Sequence, residues 1–417
     1  MKAKSSPSLR LPVVLAFFAF VLIGMVGGAN GVLLPSLSAF YSVGDAVIGL
    51  LFLVSSLGYF LSALSSGLLT EQLGLRWMLL LGAATFLLGM LAFGLKLPYI
   101  LLLPARLMLG FGIGMLETGL NIYVTALPRH TILLNYLHAF YGVGALVGPL
   151  VASLILALSW GWNSVYLLLT GLSLPLLLGF GVLYGPAYLD MPVREDESVA
   201  SENVLRAVLR LPVVWLAALF LLVYVGVEVS LGNWSYSFLL DTRHQGTVLA
   251  GEIVSGYWLG LTLGRFLLQN LAQRLGMSTK GLMYFCVTGA AIGLLLIWFV
   301  PASAMAAVGF CFIGFSLGPI YPLTVAITPK LVPARLGPSA IGLLVSVSIV
   351  GLALFPWVAG VLAQTLGIWT LLPYTLVLTV GMLALWYLLS VILHRGANDQ
   401  LDVLLAENEM LSKNREN

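Results

Sequence analysis

Charged residues are scarce in this chain: Asp, Glu, Lys and Arg make up 8% of its 417 residues, where a soluble domain carries about 25%. Hydrophobic residues reach 60%, and the mean hydropathy is +1.05. So few polar groups cannot cover a water-soluble globule, which excludes that class of protein. The composition indicates a polytopic membrane protein that uses the lipid bilayer as its solvent.

Cysteine and histidine are also rare. Cys286 and Cys311 are the only cysteines, and both fall in apolar segments, so we expect core thiols and no disulfide. The sequence shows no His or Cys cluster, no Gly-Lys-Ser/Thr after a glycine-rich stretch, and no nucleophile–base pair. We therefore expect no metal site, no cofactor, no direct use of ATP and no enzyme activity.

Long hydrophobic runs are what the chain has in abundance. About 20 apolar residues cross a bilayer as a helix, and these runs lack the alternation of a barrel strand. We predict an all-α polytopic membrane protein with twelve transmembrane helices, the first one retained and not cleaved as a signal peptide. The predicted spans are 11–40, 46–70, 76–95, 98–127, 131–158, 164–186, 212–240, 247–272, 278–299, 302–328, 337–364 and 367–393.

The basic residues orient these spans. If the N-terminus is cytoplasmic, the cytoplasmic side carries most of the 19 Lys and Arg, and the outer loops carry only Lys96 and Arg243. The cytoplasmic set is Lys2, Lys4, Arg10, Arg76, Arg129, Arg194, Arg206, Arg210, Arg274, Lys280, Lys330, Arg335, Arg395, Lys413 and Arg415. The positive-inside rule therefore predicts a multi-pass protein of the plasma (or bacterial inner) membrane with both termini in the cytoplasm.

A polar stretch at 187–211 divides the spans into six and six, and we expect a short surface helix in its second part. The predicted units are an N-terminal six-helix bundle at 1–186, a cytoplasmic linker at 187–211, a C-terminal six-helix bundle at 212–395 and a cytoplasmic tail at 396–417.

The two halves resemble each other. Residues 58–91 resemble 260–295, and Pro149 matches Pro356. Such repeats place a substrate site at their interface near the bilayer midplane. Glycine-rich stretches at 24–31, 110–114 and 142–149 predict helices that approach closely.

Two lone glutamates lie inside apolar spans, Glu117 in the fourth and Glu228 in the seventh. A charge there costs about 2.5 kcal/mol or more, so such residues usually mark a functional site. We expect Glu117 to couple transport to a proton, with Glu228 as a second acidic site or a solute ligand. His138 lies at a similar depth in the next helix and is a candidate to share or relay that proton.

Amides and aromatic rings accompany the glutamates. Asn121 lies one helical turn after Glu117 and points along the same face. An aromatic wall beside amides and a carboxylate suits the hydroxyl groups and apolar faces of a sugar. The predicted solute-binding residues are Asn30, Asn121, Asn233, Trp234, Tyr257 and Trp258.

Four charged residues are candidates for gating. Arg106 lies within the fourth span, where we expect it to need a carboxylate, backbone carbonyls or water, and Arg265 lies towards the cytoplasmic end of the eighth. Glu71 and Arg76 follow the second span, where an acid at a helix end can hold a neighbouring helix N-terminus.

We expect Gln364, near the outer end of the eleventh span, to be solvated.

The loop at 67–76 resembles the signature of the major facilitator superfamily between its second and third helices, with Glu71 in place of Asp and Gln72 at the first basic position. Residues 115–125 resemble a helix of the fucose permease family of sugar:proton symporters, and 29–35 resemble the first helix of that family. The resemblance implies a major facilitator fold. The family's proton-coupling aspartate is replaced by Gly31, while Glu117 matches its other acid.

These observations favour a secondary active transporter that works by alternating access. The preferred function is cation-coupled symport, with a proton, of a neutral hydroxyl-rich solute such as a monosaccharide. A proton-coupled exporter of amphipathic compounds and a sodium-coupled sugar transporter remain alternatives, as does an uncoupled facilitator if Gly31 abolishes coupling. We expect the partners to be the solute, the coupling ion and the bilayer, with no nucleic acid, and we expect a monomer.

Overall fold

A computed structural model describes residues 10–184 and 202–392, and these residues are helical for almost their whole length. Helices satisfy every backbone polar group internally, which a membrane segment requires. The helices are α1 (Arg10–Tyr41), α2 (Asp45–Leu73), α3 (Leu75–Gly94), α4 (Tyr99–Thr125), α5 (His130–Ala157), α6 (Asn163–Leu183), α7 (Glu202–Leu209), α8 (Pro212–Asp241), α9 (Thr247–Arg274), α10 (Thr279–Phe299), α11 (Ser303–Leu317), α12 (Ile320–Ile327), α13 (Gly337–Leu366) and α14 (371–392).

Eleven segments within the described ranges are long and apolar enough to cross a membrane. The predicted span at 247–272 corresponds to α9, which has the length at 28 residues but a more polar composition. Its polar side chains include Glu252, Arg265 and Asn270. Twelve described segments are therefore long enough to cross the membrane, and eleven of them are also apolar enough.

The predicted span 302–328 is interrupted. The structure has α11 and α12 separated at Gly318 and Pro319, where the sequence predicted one continuous helix. Proline has no backbone N–H, and its ring collides with the carbonyl four residues earlier, so the helix breaks there. The linker contains the expected short helix, α7, whose Val208 packs with Val214 and Leu336. The first part of the linker, 187–201, and the tail at 396–417 lie outside the described residues.

The helices run alternately between two ends of the molecule. We call the end at which α1 begins the N-terminal end, and the other the far end. At the far end the Tyr41 hydroxyl donates to the Leu97 carbonyl, 2.7 Å away, and at the N-terminal end the Tyr184 hydroxyl donates to the Pro12 carbonyl at 3.0 Å. These bonds join helix ends that alternation places side by side.

Glycine contacts repeat between the N-terminal half (α1–α6) and the C-terminal half (α8–α14). A Cβ placed on Gly58 would lie 2.1 Å from the Leu107 carbonyl oxygen, so α2 and α4 touch backbone to backbone. The same contact recurs 202 positions later, where a Cβ on Gly260 would lie 2.0 Å from the Cys311 carbonyl oxygen. Gly74 and Gly276, also 202 positions apart, both have positive φ. Equivalent backbone geometry at equivalent positions supports the predicted internal repeat.

The predicted glycine-rich stretches are indeed contact surfaces. In α1 and α5, a Cβ on Gly28 would lie 2.3 Å from the Ala145 carbonyl oxygen, and one on Gly148 would lie 2.3 Å from the Met25 carbonyl oxygen. Gly144 meets the Val21 carbonyl in the same way. Without a hydrophobic driving force between helices in lipid, such close packing is what holds a bundle together.

Candidate transport site

Glu117 is held by a tyrosine from the neighbouring helix. The close approach of α2 and α4 brings the Tyr59 hydroxyl to 2.9 Å from Oε2 of Glu117, to which it donates a hydrogen bond. Gly114, one turn before Glu117 on α4, faces Ser62 and the Tyr59 ring and leaves no room for a side chain. Glu117 itself is half-buried, and within the described residues no cation pairs with it. Its carboxyl group is therefore oriented and without a counter-charge, in a side chain that is only partly exposed.

Glu228 has a different environment. Its Oε1 lies 3.2 Å from the Arg265 guanidinium of α9, with the two side chains 12% and 34% exposed. This is the one ion pair among residues 10–184 and 202–392. The Tyr257 hydroxyl donates to the Glu228 main-chain carbonyl at 2.9 Å, which ties α8 to α9 at the same level. The pairing gives Glu228 the counter-charge that Glu117 lacks.

Tyrosines surround both carboxylates. Tyr141 of α5 and Tyr321 of α12 each lie within electrostatic range of both Glu117 and Glu228. The Tyr224 ring of α8 packs against Tyr321, with their centroids 6.4 Å apart. The centre of the molecule thus combines two acids with hydroxyl groups contributed by both halves.

Four of these tyrosines were missed in the sequence, namely Tyr59, Tyr141, Tyr224 and Tyr321. A tyrosine in mid-span, away from the membrane interface, was one available signal. The internal repeat also relates Tyr321 to Glu117. The two residues are 204 positions apart, which is the spacing between Leu107 and Cys311, whose carbonyl oxygens face Gly58 and Gly260 in equivalent contacts.

Among the described residues, the predicted partner of Glu117, His138, does not bond it, although it lies within electrostatic range of Arg265. Its ring is exposed and stands edge-on to Phe20, with centroids 5.5 Å apart. Asn121, by contrast, has a buried Oδ1 without a hydrogen-bond partner among the described residues. This acceptor, one turn from Glu117, is enclosed in this conformation, so a solute hydroxyl could reach it only if the surrounding side chains move.

Arg106 is almost completely buried, at 5% exposed. Its Nη1 donates to the Asn30 side-chain oxygen at 3.2 Å. The alternative of a carboxylate partner is therefore wrong within the described residues, because an amide from α1 accepts the bond. Asn30 is used in this contact, which fixes α1 against α4.

The predicted aromatic wall is packed in this conformation. The Trp234 indole is fully buried and donates to the Pro356 carbonyl at 2.8 Å, while its ring faces Phe52. Asn233 donates to the Val229 carbonyl of its own helix at 2.9 Å. Tyr257 is also fully buried, and Trp258 is 8% exposed with its ring against Gly232. These side chains pack between helices and do not line an open cavity here.

The remaining predicted gate residues lie at the N-terminal end. Glu71 is exposed, and the described residues offer it no ion-pair partner. Arg76 donates to the Gly181 carbonyl and lies over the Trp77 ring. These contacts join α3 to α6 within one half, so the loop at 67–76 does not latch the two halves together in this state.

The two halves meet towards the far end. A Cβ on Gly31 would lie 2.6 Å from the Asn233 carbonyl oxygen and 2.8 Å from that of Gly232. On one side of this contact Gly49 faces Trp357, and on the other Gly251 faces Ser153. The position of the expected aspartate thus has no room for any side chain while this end is closed.

A groove lies between α5 and α9 towards the N-terminal end. It has a volume of about 350 Å³ and is lined by Ile132, Asn135, Tyr136, Ala139 and Phe266. The contacts at Gly31, Gly49 and Gly251 therefore close the far end, as an alternating-access cycle requires in one of its two arrangements.

The sequence profile of the Major Facilitator Superfamily matches residues 16–276. The chain belongs to the major facilitator superfamily. It is 28% identical over 397 residues to Bypass of stop codon protein 6 of Saccharomyces cerevisiae, covering 87% of this chain and 79% of that protein. It is 26% identical over 371 residues to a glucose/galactose transporter of Brucella abortus, covering 84% of this chain and 87% of the relative. This membership makes the protein a multi-pass membrane transporter and not an enzyme.

Solved structures agree on the fold. A bacterial homologue of the human lysosomal transporter Spinster, in an inward-facing and unoccupied conformation, superimposes with a TM-score of 0.75 at 16% identity, covering 94% of this chain and 99% of that one. The E. coli fucose:proton symporter FucP gives a TM-score of 0.60 at 19% identity, covering 91% and 98%. The predicted major facilitator fold is confirmed.

Proposed function

We propose that this major facilitator protein couples the entry of a proton to the uptake of a neutral, hydroxyl-rich solute, most simply a monosaccharide. The observation that carries the proposal is Glu117, a partly exposed residue whose carboxyl group is oriented by Tyr59 and lacks a counter-charge among the described residues. In a low-dielectric bundle an unpaired carboxylate is costly, and protonation removes that cost. Glu117 can therefore take up a proton at one membrane face and release it at the other.

The solute would bind beside this carboxyl group. Asn121 offers an unpaired oxygen one turn away, and the hydroxyls of Tyr141 and Tyr321 lie at the same centre. Polar groups that converge from both halves suit a polyol better than an apolar drug. The glucose/galactose transporter of Brucella abortus and the glucose/mannose transporter GlcP of Bacillus subtilis, which is 22% identical over 383 residues, support this class of solute.

Other roles remain part of the proposal. Glu228, held by Arg265, would contact solute, with Asn233, Trp234, Tyr257 and Trp258 forming the wall when the far end opens.

The charge distribution supports cytoplasmic termini, an N-terminal end that faces the cytoplasm and residence in the plasma (or bacterial inner) membrane. The repeated glycine contacts support bundles at 1–186 and 212–395. We propose that the transporter works as a monomer.

A second candidate is a proton-coupled exporter of amphipathic compounds. The groove between α5 and α9 favours it, because Ile132, Tyr136 and Phe266 give that groove an apolar lining open at the side of the bundle. An amphipathic compound would enter such a groove from the bilayer, whereas a sugar would not.

Uptake of radiolabelled sugars into proteoliposomes tests the proposal, with and without an inward proton gradient. Glu117→Gln keeps the size of the side chain and removes the titratable proton. Glu252→Gln is the matched control, because Glu252 is an exposed acid on α9. We expect gradient-driven accumulation in wild type and in the control, and sugar exchange without accumulation in Glu117→Gln.

The other outcomes point to the alternatives. Accumulation driven by a sodium gradient would replace the proton with sodium. Equilibration without accumulation in wild type would mean a facilitator. Movement of lipophilic cations with no uptake of any sugar would overturn the sugar proposal and favour the exporter.

A further inference from the structure

Gln364, near the end of α13, reaches across to the other half of the molecule. Its side-chain oxygen Oε1 accepts a hydrogen bond from the Ala46 N–H at the start of α2, 2.9 Å away. Among residues 10–184 and 202–392 this is the one hydrogen bond between the two halves. It lies at the closed far end, where Gln364 is exposed, as the sequence predicted, and in addition bonds the other half.

The start of α2 needs such a partner. The first N–H groups of a helix have no acceptor within the helix, and a Ser, Thr, Asp or Asn side chain at the preceding position usually caps them. Here that position is Gly44, which has no side chain, and the Gln364 oxygen would lie 2.4 Å from a Cβ placed on it. A residue of the C-terminal half therefore occupies the space and supplies the cap.

The internal repeat provides a built-in comparison. Gly246 precedes α9 and, 202 positions after Gly44, is its equivalent. Pro149 and Pro356 match each other at a spacing of 207 positions in the same pair of helices. The same spacing makes Ala157 the equivalent of Gln364. Alanine cannot accept a hydrogen bond through its side chain, and a Cβ on Gly246 would meet nothing within 4 Å. The cap between halves is therefore built on one side of the far end and missing on the other.

We propose that Gln364 is a gating residue that holds the far end closed by capping α2 from the opposite half. When that end opens, α13 separates from α2 and the Ala46 N–H passes to water. The bond therefore exists in the closed arrangement only, and it shifts the alternating-access equilibrium towards that arrangement. Since one net hydrogen bond is involved, its loss should change the equilibrium about three- to tenfold.

Cysteine accessibility measures that equilibrium away from the bond itself. Ser153 is 1% exposed and faces Gly251 in the contact between α5 and α9, on the other side of the far end. Ser153→Cys, in a protein whose Cys286 and Cys311 are replaced by Ser, should react with a hydrophilic maleimide when the far end is open. Labelling rates are read on purified protein in nanodiscs, where both membrane faces are accessible.

Four variants are compared on this background. Gln364→Ala should label about three to ten times faster than Gln364, and Gln364→Glu, which keeps an acceptor oxygen, should stay near it. Thr365→Ala is the matched control, because Thr365 bonds the Val361 carbonyl of its own helix and should change nothing. Ala157→Gln adds the missing cap to α9 and should slow labelling.

Equal labelling rates for Gln364→Ala and the parent, both folded by size-exclusion chromatography, would overturn the proposal. So would a Gln364→Glu rate that matches Gln364→Ala, because the acceptor oxygen would then not be what closes the end. Faster labelling in Thr365→Ala would show that any change at the end of α13 opens the molecule, and would likewise overturn a specific cap.

Discussion

Replacing Tyr59 with phenylalanine removes the one hydrogen-bond donor that the described residues give to Glu117. A donated hydrogen bond stabilises the charged form of a carboxyl group relative to the protonated form. Without it the proton should leave Glu117 less readily. Where release of this proton limits proton-driven uptake, the pH at which the uptake rate is half-maximal (the midpoint) should then be higher than in wild type.

The size of the shift follows from the geometry. A hydrogen bond to a charged group is worth about 1.5–3 kcal/mol, and one pH unit corresponds to about 1.4 kcal/mol. Because Glu117 is half-buried, water can replace part of the lost bond, so we expect the lower end of that range. Tyr59→Phe should therefore move the midpoint upwards by about one pH unit.

The assay is the initial rate of gradient-driven uptake into proteoliposomes between about pH 5 and pH 9. Tyr41→Phe is the matched control, since it removes a 2.7 Å hydrogen bond to the neutral Leu97 carbonyl at the far end. Its profile should keep the wild-type midpoint. A Tyr59→Phe profile that is unchanged, or displaced to lower pH, would refute the assignment of Tyr59 as the group that orients and charges Glu117.

Two further predictions concern stability and packing. Glu228→Gln leaves the Arg265 guanidinium unpaired and should destabilise the protein by about 1–3 kcal/mol. The double variant Glu228→Gln with Arg265→Gln should lose less stability, as measured by thermal melts in detergent. Equal losses of stability in the two variants would show that the ion pair does not stabilise the fold. Gly31→Asp restores the acid of the fucose permease pattern, but it collides with the Asn233 carbonyl and should open the far end. Unchanged Ser153→Cys labelling in that variant would contradict this.

The sequence located the acids but not their partners. Glu117 and Glu228 stand out because an apolar span makes any charge conspicuous. Pairing Glu117 with His138 relied on similar depth in consecutive helices, yet Tyr59 holds the acid. Depth fixes position along the helix axis, whereas contact also depends on the direction in which each side chain points, which turns by about 100° per residue.

Packing also decided which aromatic residues face a cavity. Trp234 looked like a solute-binding residue because it is an aromatic residue next to Asn233 in the span that carries Glu228. In the folded chain its indole bonds the Pro356 carbonyl and its ring fills the contact with α2. Nothing in a single sequence distinguishes an aromatic ring at the solute from one that closes a helix contact.

Composition and order along the chain therefore determined the class of this protein, its spans and the halves of its repeat, because the bilayer imposes one length and one polarity on every crossing. The break at Gly318 and Pro319 was not predicted, because Pro35, Pro104, Pro149, Pro175 and Pro356 lie inside continuous helices and a proline alone does not fix where a helix is interrupted. The tertiary structure alone decided that Arg265 neutralises Glu228, that Glu117 has no counter-charge among the described residues, and that Gln364 caps a helix of the other half. Such pairings depend on the rotation and separation of helices that lie far apart in the chain, and hydropathy carries no information about either.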